Sequence, residues 1–221
     1  MTDRPLWTQQ IDRELRVRPL GTGDAEALFR AVDASREHLR RWLPWLDAMR
    51  SIDDERAFLA HVEDWHAAGT AMVCGIFTGN DDGDDGEIAG VIGFNAIDRA
   101  ARHAAIGYWL GGRFTGRGIM TRCCAALLDF AFCEMELDSV DIRAATENLA
   151  SRSIPERLRF HRGQLIRSAE WLYDHHVDHV YYVLTADVWR RRKQPRAAAA
   201  PAIPLPLPVR RNRKRKIASK S

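Results

Sequence analysis

The chain has 221 residues, 46% of them hydrophobic, which is enough for one domain of ordinary size with a real core. No apolar run approaches the roughly 20 residues that a membrane-spanning helix needs, and the polar start predicts no signal peptide. The formal net charge of +3 is unevenly spread: residues 190–221 hold twelve lysines and arginines and no acid, which leaves 21 basic and 30 acidic side chains in residues 1–189.

The first half of the chain predicts strands and helices in alternation. Residues 14–20 alternate like a strand, and residues 27–32 carry one helix face after a possible cap at Thr22 or Asp24. A second helical piece ends near Trp42 and Trp45, which flank a proline. These tryptophans either pack in the core, the favoured interpretation, or line a binding groove.

Residues 52–68 predict a further helix, capped by Ser51 or Asp53 and followed by a strand over residues 70–77. The Asp/Asn/Gly-rich segment 79–86 predicts a hairpin turn, because it lacks the ligand order and the terminal glutamate of a calcium loop. Residues 87–95 predict the returning strand.

The stretch from Ala104 to Glu134 is the most informative part of the sequence. A short aromatic strand ending at Leu110 is followed by a glycine-bearing basic loop and then by a strongly periodic helix. The first amides of a helix have no internal partner, and glycines let an oxyanion approach the backbone. This strand–loop–helix therefore predicts either a phosphate site or a glycine-rich turn before a core helix, and it matches neither the P-loop nor the complete dinucleotide fingerprint.

After this stretch, residues 139–145 predict a strand, residues 146–158 a turn and helix, and residues 162–184 the closing strands. Beyond Trp189 the chain is rich in Pro, Ala, Arg and Lys and has no amphipathic period, which predicts disorder. The basic clusters of this tail either contact RNA by counter-ion release, are simply solvated, or are an artefact of the reading frame.

Three of the four cysteines, Cys123, Cys124 and Cys133, lie in the predicted central helix, and Cys74 lies in an apolar strand. No second Cys/His cluster completes a metal site. We therefore expect buried free thiols, a cytoplasmic protein and no metal.

The loop Arg113-x-x-Gly116-x-Gly118 resembles the pyrophosphate loop Arg/Gln-x-x-Gly-x-Gly/Ala of the GNAT acetyltransferases. The wider words IGYWL, GRGIMT and LLDFAF, with Asn148-x-x-Ser151, resemble the bacterial ribosomal-protein serine/alanine N-acetyltransferases. The resemblance covers residues 15–189, flanked by an N-terminal extension (1–14) and the basic tail (190–221). It implies an α/β GNAT fold with a mixed, mostly antiparallel sheet of about seven strands, splayed at the acetyl-CoA site, with helices on both faces.

The same resemblance implies roles for individual residues. The cosubstrate acetyl-CoA would meet backbone at Leu110 and the side chain of Asn148, and its pyrophosphate would be held by residues Arg113, Thr115, Gly116, Arg117, Gly118, Ile119 and Met120. Ser151 would donate a hydrogen bond to the departing sulfur. It has no adjacent histidine in the sequence to activate it, so we do not expect a covalent acyl-serine. Glu170 would orient Ser151 or take a proton from the amine. Arg159 stands where the family has glycine, and strains the turn if that position needs positive φ.

The expected function is acetyl transfer to a primary amine, with the N-terminal α-amine of a ribosomal protein as the leading acceptor. An α-amine has a pKa of about 7.7–8.0 against about 10.4 for lysine, so it is more easily used without a strong base. A small-amine acetyltransferase (for a polyamine, amino acid or antibiotic) and a low-turnover acyl-CoA-binding regulatory module remain alternatives. Both a monomer and a homodimer remain open.

Overall fold

The computed structural model describes residues 6–79 and 85–193, and within them eight strands form one sheet. Every neighbouring pair is antiparallel except β5 and β6, which run parallel. In chain order the strands are β1 (Gln9–Gln10), β2 (Leu15–Pro19), β3 (Met72–Thr78), β4 (Glu87–Asp98), β5 (His103–Leu110), β6 (Ser139–Ala145), β7 (His161–Leu172) and β8 (His175–Thr185), and their order in the sheet is β1-β2-β3-β4-β5-β6-β8-β7. The predicted mixed, mostly antiparallel sheet is confirmed, with one strand more than expected.

Helices pack on both faces of the sheet, as predicted. They are α1 (Ala25–Asp33), α2 (Arg36–Arg40), α3 (Ile52–Ala68), α4 (Ile119–Asp129), α5 (Leu149–Arg157) and α6 (Ala186–Lys193). One core joins α1 and α3 to β3 and β4 through buried Leu28, Leu59 and Phe77. The other joins α4 to the centre of the sheet through residues such as Cys124 and Tyr182. No helix among the described residues combines the length and apolar character that crossing a bilayer requires.

Helix α3 begins and ends where the sequence predicts, because both of its caps are local. The Ser51 hydroxyl accepts from the amide of Asp54 at 3.2 Å, and the Asp54 carboxylate accepts from the amide of Ser51 at 2.9 Å. Gly69 then ends the helix in the left-handed region at φ +66°.

The parallel strands β5 and β6 pair along only part of their lengths. Their register joins His103–Ile106 to Ser139–Ile142, whereas β5 continues to Leu110 and β6 continues to Ala145. Beyond the last pair each strand bonds only its outer neighbour, β4 or β8. The predicted splay is therefore present, and it opens the sheet next to the glycine loop.

Both ends of the predicted domain extend further than the sequence suggested. Trp7 is buried and stacks on Phe130 at 5.9 Å, and β1 adds a strand to the sheet, so the described part of the N-terminal extension belongs to the fold. Helix α6 continues four residues past Trp189, where the Arg190 guanidinium donates to the Phe132 carbonyl at 3.1 Å. The helical start of the predicted disordered tail therefore packs on the domain.

Other sequence predictions have mixed outcomes. Residues 80–84 of the predicted hairpin turn and residues 194–221 of the tail lie outside the described residues. Cys74, Cys123 and Cys124 are buried free thiols as expected, and burial raises the pKa of Cys123 to about 12. Cys133 is exposed, because it lies on a π-helical turn (Phe130–Glu134) that follows α4 and presents it to solvent.

Arg159 has φ +65°, so the position that follows α5 does require the left-handed region. A residue with a Cβ is strained there, whereas glycine is not. We therefore expect Arg159→Gly to raise the free energy of unfolding by about 0.5–1 kcal/mol, measured by urea denaturation. Arg56→Gly, in the second turn of α3, is the control and should lower the free energy of unfolding by about 1 kcal/mol. A destabilised Arg159→Gly variant would contradict the strain argument.

Candidate active site

A cleft of about 610 Å³ lies where β5 and β6 diverge. Its lining comes from α2 and the turn after it, the end of β5, the glycine loop, the start of α4, and α5 with the residue before it. Eight of the predicted site residues line it: Leu110, Thr115, Gly116, Gly118, Ile119, Met120, Asn148 and Ser151.

The glycine loop holds the start of α4 open toward the cleft. Gly116 and Gly118 have φ of +73° and +70°, and Gly118 is the N-cap of α4. A Cβ on Gly116 would meet nothing within 4 Å, so this glycine is needed for its backbone angle rather than for space. The unpaired amides of the first turn and the positive end of the helix dipole make this point suited to an anion.

The two arginines predicted for the pyrophosphate do not line the cleft. Arg113 forms an ion pair with Glu87 and lies over the Phe114 ring, 4.7 Å from its centroid. This pair is exposed, so it contributes at most about 1 kcal/mol and can be exchanged for a phosphate. Arg117 contributes its carbonyl, which accepts from Arg122 at 3.1 Å.

Arg122, which sequence reasoning missed, is the arginine of α4 that does line the cleft. It lies four residues after Gly118, so the first turn of the helix brings it back to the loop. Its guanidinium also pairs with Asp12 at 3.0 Å, a contact across the sheet that no local pattern indicates.

The backbone of Leu110 faces the splay. The amide of Gly111 donates to the Ala89 carbonyl of β4 at 2.8 Å. Because successive amides of a strand point to opposite edges, the amide of Leu110 points away from β4, to the side where β6 has diverged. This amide is placed to bind a carbonyl oxygen in the cleft.

Ser151 lies in the first turn of α5 with three contacts that fix it. Its amide donates to the Asn148 side-chain oxygen at 3.0 Å, which caps the helix. Its hydroxyl donates to the Tyr108 hydroxyl at 3.3 Å, and the Tyr108 hydroxyl donates to the Ser151 carbonyl at 3.0 Å.

That last hydrogen bond has a cause in the sequence. Pro155 lies inside α5, four residues after Ser151, and has no N–H to give to the Ser151 carbonyl. Tyr108, at the splayed end of β5, donates to this carbonyl instead. Burial raises the pKa of Tyr108 well above its ordinary value, so this hydroxyl keeps its proton.

Glu170 is not brought to Ser151. It lies on β7, is not among the residues that line the cleft, and pairs with the His179 ring on β8 at 3.5 Å. Of the two predicted catalytic residues, only Ser151 lines the cleft, and the role of Glu170 stays a prediction.

Helix α2 and the turn after it contribute His38, Leu39, Trp42 and Leu43 to the lining of the cleft, which also includes Trp109 of β5. The two tryptophans beside Pro44 therefore differ. Trp42 lines the cleft, whereas Trp45 packs against the core of α1 and α3. The sequence left open whether these tryptophans pack in the core or line a groove, and the structure shows one of each.

Comparison with known proteins identifies this architecture. The family model described as the acetyltransferase (GNAT) domain matches residues 14–161. The Bacillus subtilis protein YdaF is 31% identical over 191 residues, which are 85% of this chain and all of YdaF. The ribosomal-protein-serine acetyltransferase of Escherichia coli is 26% identical over 180 residues, 81% of this chain and 97% of that protein.

Solved structures agree with the sequence relatives. RimL, the ribosomal L7/L12 alpha-N-protein acetyltransferase, solved in complex with coenzyme A, superposes with a TM-score of 0.76 at 26% identity. The match covers 82% of this chain and 99% of that chain. The similarity thus extends over the cleft described here.

The Tyr108 bond makes a stability prediction. Tyr108→Phe should leave the Ser151 carbonyl without its donor and lower the free energy of unfolding by about 1–3 kcal/mol. Pro155→Ala supplies the missing amide, so the double variant should lose less than the sum of the two single variants. Chemical denaturation of the four proteins of this cycle measures the coupling. Additive losses would show that the two donors do not serve one carbonyl.

Proposed function

The chain belongs to the GNAT acetyltransferase family and is an N-acetyltransferase, and on that premise we propose that it transfers acetyl directly from acetyl-CoA to the N-terminal α-amine of a ribosomal protein. The observation that carries the proposal is the continuous cleft from the glycine loop to Ser151 along the splayed end of β5. A ribosomal substrate would place the reaction in the cytoplasm. The named relatives that act on ribosomal proteins cover most of this chain, which supports the acceptor class.

The residues of the cleft offer groups for the pyrophosphate, the pantetheine and the thioester of acetyl-CoA. The amides at the start of α4 would bind the pyrophosphate, with Arg122 adding charge and Arg113 joining once released from Glu87. Pantetheine would run along the open edge of β5 and form a hydrogen bond with the side-chain amide of Asn148. The Leu110 amide would bind the thioester oxygen, which stabilises charge that develops there.

Ser151 is the group we assign to the departing sulfur. The Ser151 hydroxyl already donates to the Tyr108 hydroxyl oxygen. If the Ser151 hydroxyl rotates toward the thiolate, it exchanges one hydrogen-bond acceptor for another. The Asn148 cap and the Tyr108 bond hold the Ser151 backbone in place while the hydroxyl turns. No described contact pairs this hydroxyl with a histidine, which favours direct transfer over a covalent acyl-serine.

The cleft favours an α-amine over lysine. Within the described part of the chain, no aspartate or glutamate lines it, so no carboxylate base stands ready for an amine of high pKa. At neutral pH an α-amine, with a pKa of about 7.7–8.0, is already partly neutral, whereas a lysine amine needs about 3.5 kcal/mol more.

The decisive experiment incubates the purified protein and acetyl-CoA with ribosomal proteins and identifies the modified peptide by mass spectrometry. Release of CoA thiol together with one N-terminal acetylation supports the proposal. Acetylation of a polyamine, amino acid or antibiotic alone would instead support a small-amine enzyme. CoA binding without turnover on either class would indicate a binding module.

The basic tail is proposed as an accessory contact for ribosomal RNA. Its residues 194–221 lie outside the described residues, and helix α6 sets where they begin. Truncation after Lys193, rather than at Arg190, therefore spares the packed helix in any test of this contact.

Gly118→Glu tests the anion site. The change places a carboxylate at the start of α4 and a side chain at φ +70°, so we expect CoA binding to disappear in calorimetry. Gly23→Glu is the control, because Gly23 lies in open space away from the cleft. Unchanged affinity in a folded Gly118→Glu protein would exclude this loop as the pyrophosphate site.

Ser151→Ala should lower kcat by about 10²–10⁴-fold, because it removes the donor to the leaving thiolate, while CoA affinity stays nearly unchanged. Glu170→Gln should cause a smaller loss if Glu170 only orients Ser151. Steady-state kinetics with a peptide acceptor measures both. A stable acetyl adduct on Ser151, or full activity in Ser151→Ala, would refute this mechanism.

A further inference from the structure

The amine that attacks the thioester must lose protons, and the cleft contains few groups that can take one. In the described residues, the titratable side chains that line the cleft are His38, Tyr108, Arg122 and Arg157. Glu170, the base suggested by the sequence, is not among them. The structure therefore limits the choice of proton acceptor sharply.

Three of the four lining groups are unsuited to the task. Tyr108 keeps its own proton because burial raises its pKa, and its oxygen already accepts from Ser151. Arginine stays protonated under all ordinary conditions and has no acceptor atom, which removes Arg122 and Arg157. An imidazole is the side chain that ordinarily changes charge near neutral pH, so His38 is left.

The position of His38 suits an acceptor-side base. It is half-buried on α2, and its nearest atoms lie 3.3–3.7 Å from where a Cβ of Gly112 would stand, two residues after Leu110. None of the described residues hydrogen-bonds or ion-pairs with either ring nitrogen. The ring thus lines the same cleft as Ser151 and is available to a ligand.

Charged and titratable groups lie beside His38 in the sequence, in the glycine loop and in the lining of the cleft. They are Glu37, Arg40 and Arg41 on or next to α2, Arg113 and Arg117 in the glycine loop, Arg122 on α4, Arg157 on α5 and Tyr108 on β5. Arg40 is held by Asp47 at 2.8 Å and Arg113 by Glu87, so neither is a free charge directed at the ring.

We propose that His38 is the catalytic base that accepts a proton from the acceptor amine, an inference that rests on the proposed N-acetyl transfer. Of the three protons of the ammonium group, one stays on the amide, one passes to His38 and then to solvent, and one leaves with the CoA thiol. The new C–N bond forms as the C–S bond breaks, and Ser151 supports the departing sulfur. The proposed base on α2 and the sulfur donor on α5 thus line one cleft.

The test compares His38→Gln with His61→Gln, the same change at an exposed position on α3. With an α-amine peptide at pH 7, His38→Gln should lower kcat/KM by about 10²-fold, whereas His61→Gln should not. The deficit should shrink as the pH rises past about 8, where the amine is already neutral. The CoA affinity and the midpoint of thermal unfolding of the His38→Gln protein should match those of the wild type. The His38→Asn protein should show the same pH-dependent deficit in kcat/KM.

Each result has a distinct meaning. A deficit of constant size from pH 6.5 to 9.5 would assign His38 a structural role and overturn the proposal, as would full activity at pH 7. A pH-dependent loss in Glu170→Gln with none in His38→Gln would give the base role to Glu170. Wild-type protein that acetylates no amine would refute the proposed function itself, a failure that the wild-type assay reveals before any variant is compared.

Discussion

The structure of the cleft depends on the point at which β5 and β6 stop pairing. Four residue pairs hold the two parallel strands together, and then the strands separate. Backbone groups inside a protein need hydrogen-bond partners, so the open edge of β5 from Gly107 to Leu110 is a place where a substrate backbone or carbonyl can bond. The glycine loop follows this edge directly, and α5 follows β6, so both of the elements proposed to bind ligand result from one divergence.

Tyr108 and Pro155 show how the opened sheet is stabilised. A proline in a helix normally leaves a carbonyl without its donor. Here the splayed end of β5 supplies the Tyr108 hydroxyl to that carbonyl, which belongs to Ser151. The same contact ties α5 to β5 across the cleft and holds the proposed sulfur donor in position. A loss of packing in one element would therefore also disturb the reaction.

The proposed anion site relies on backbone geometry more than on side-chain charge. Positive φ at Gly116 and Gly118 turns the chain so that α4 begins at the cleft. A residue with a Cβ would be strained at those backbone angles. The nearby arginines are held in exposed or partly exposed ion pairs with Glu87 and Asp12, which are weak and exchangeable. A bound phosphate can therefore form ion pairs with these arginines in place of their carboxylate partners.

The sequence alone determined what local rules control. The caps of α3 and the glycine loop before α4 were predictable, because each depends on neighbouring residues and backbone sterics. The resemblance pointed to the position of Arg159, and the structure decided that its φ is positive. The resemblance supplied the fold and the splay. Tertiary structure decided the rest. Arg122 lines the cleft, whereas Arg113 does not. Trp42 lines the cleft, Trp45 packs against the core, and Glu170 pairs with His179. His38 and Ser151 are 113 positions apart in the chain, and only the packing of α2 and α5 around the open end of β5 brings them to one cleft.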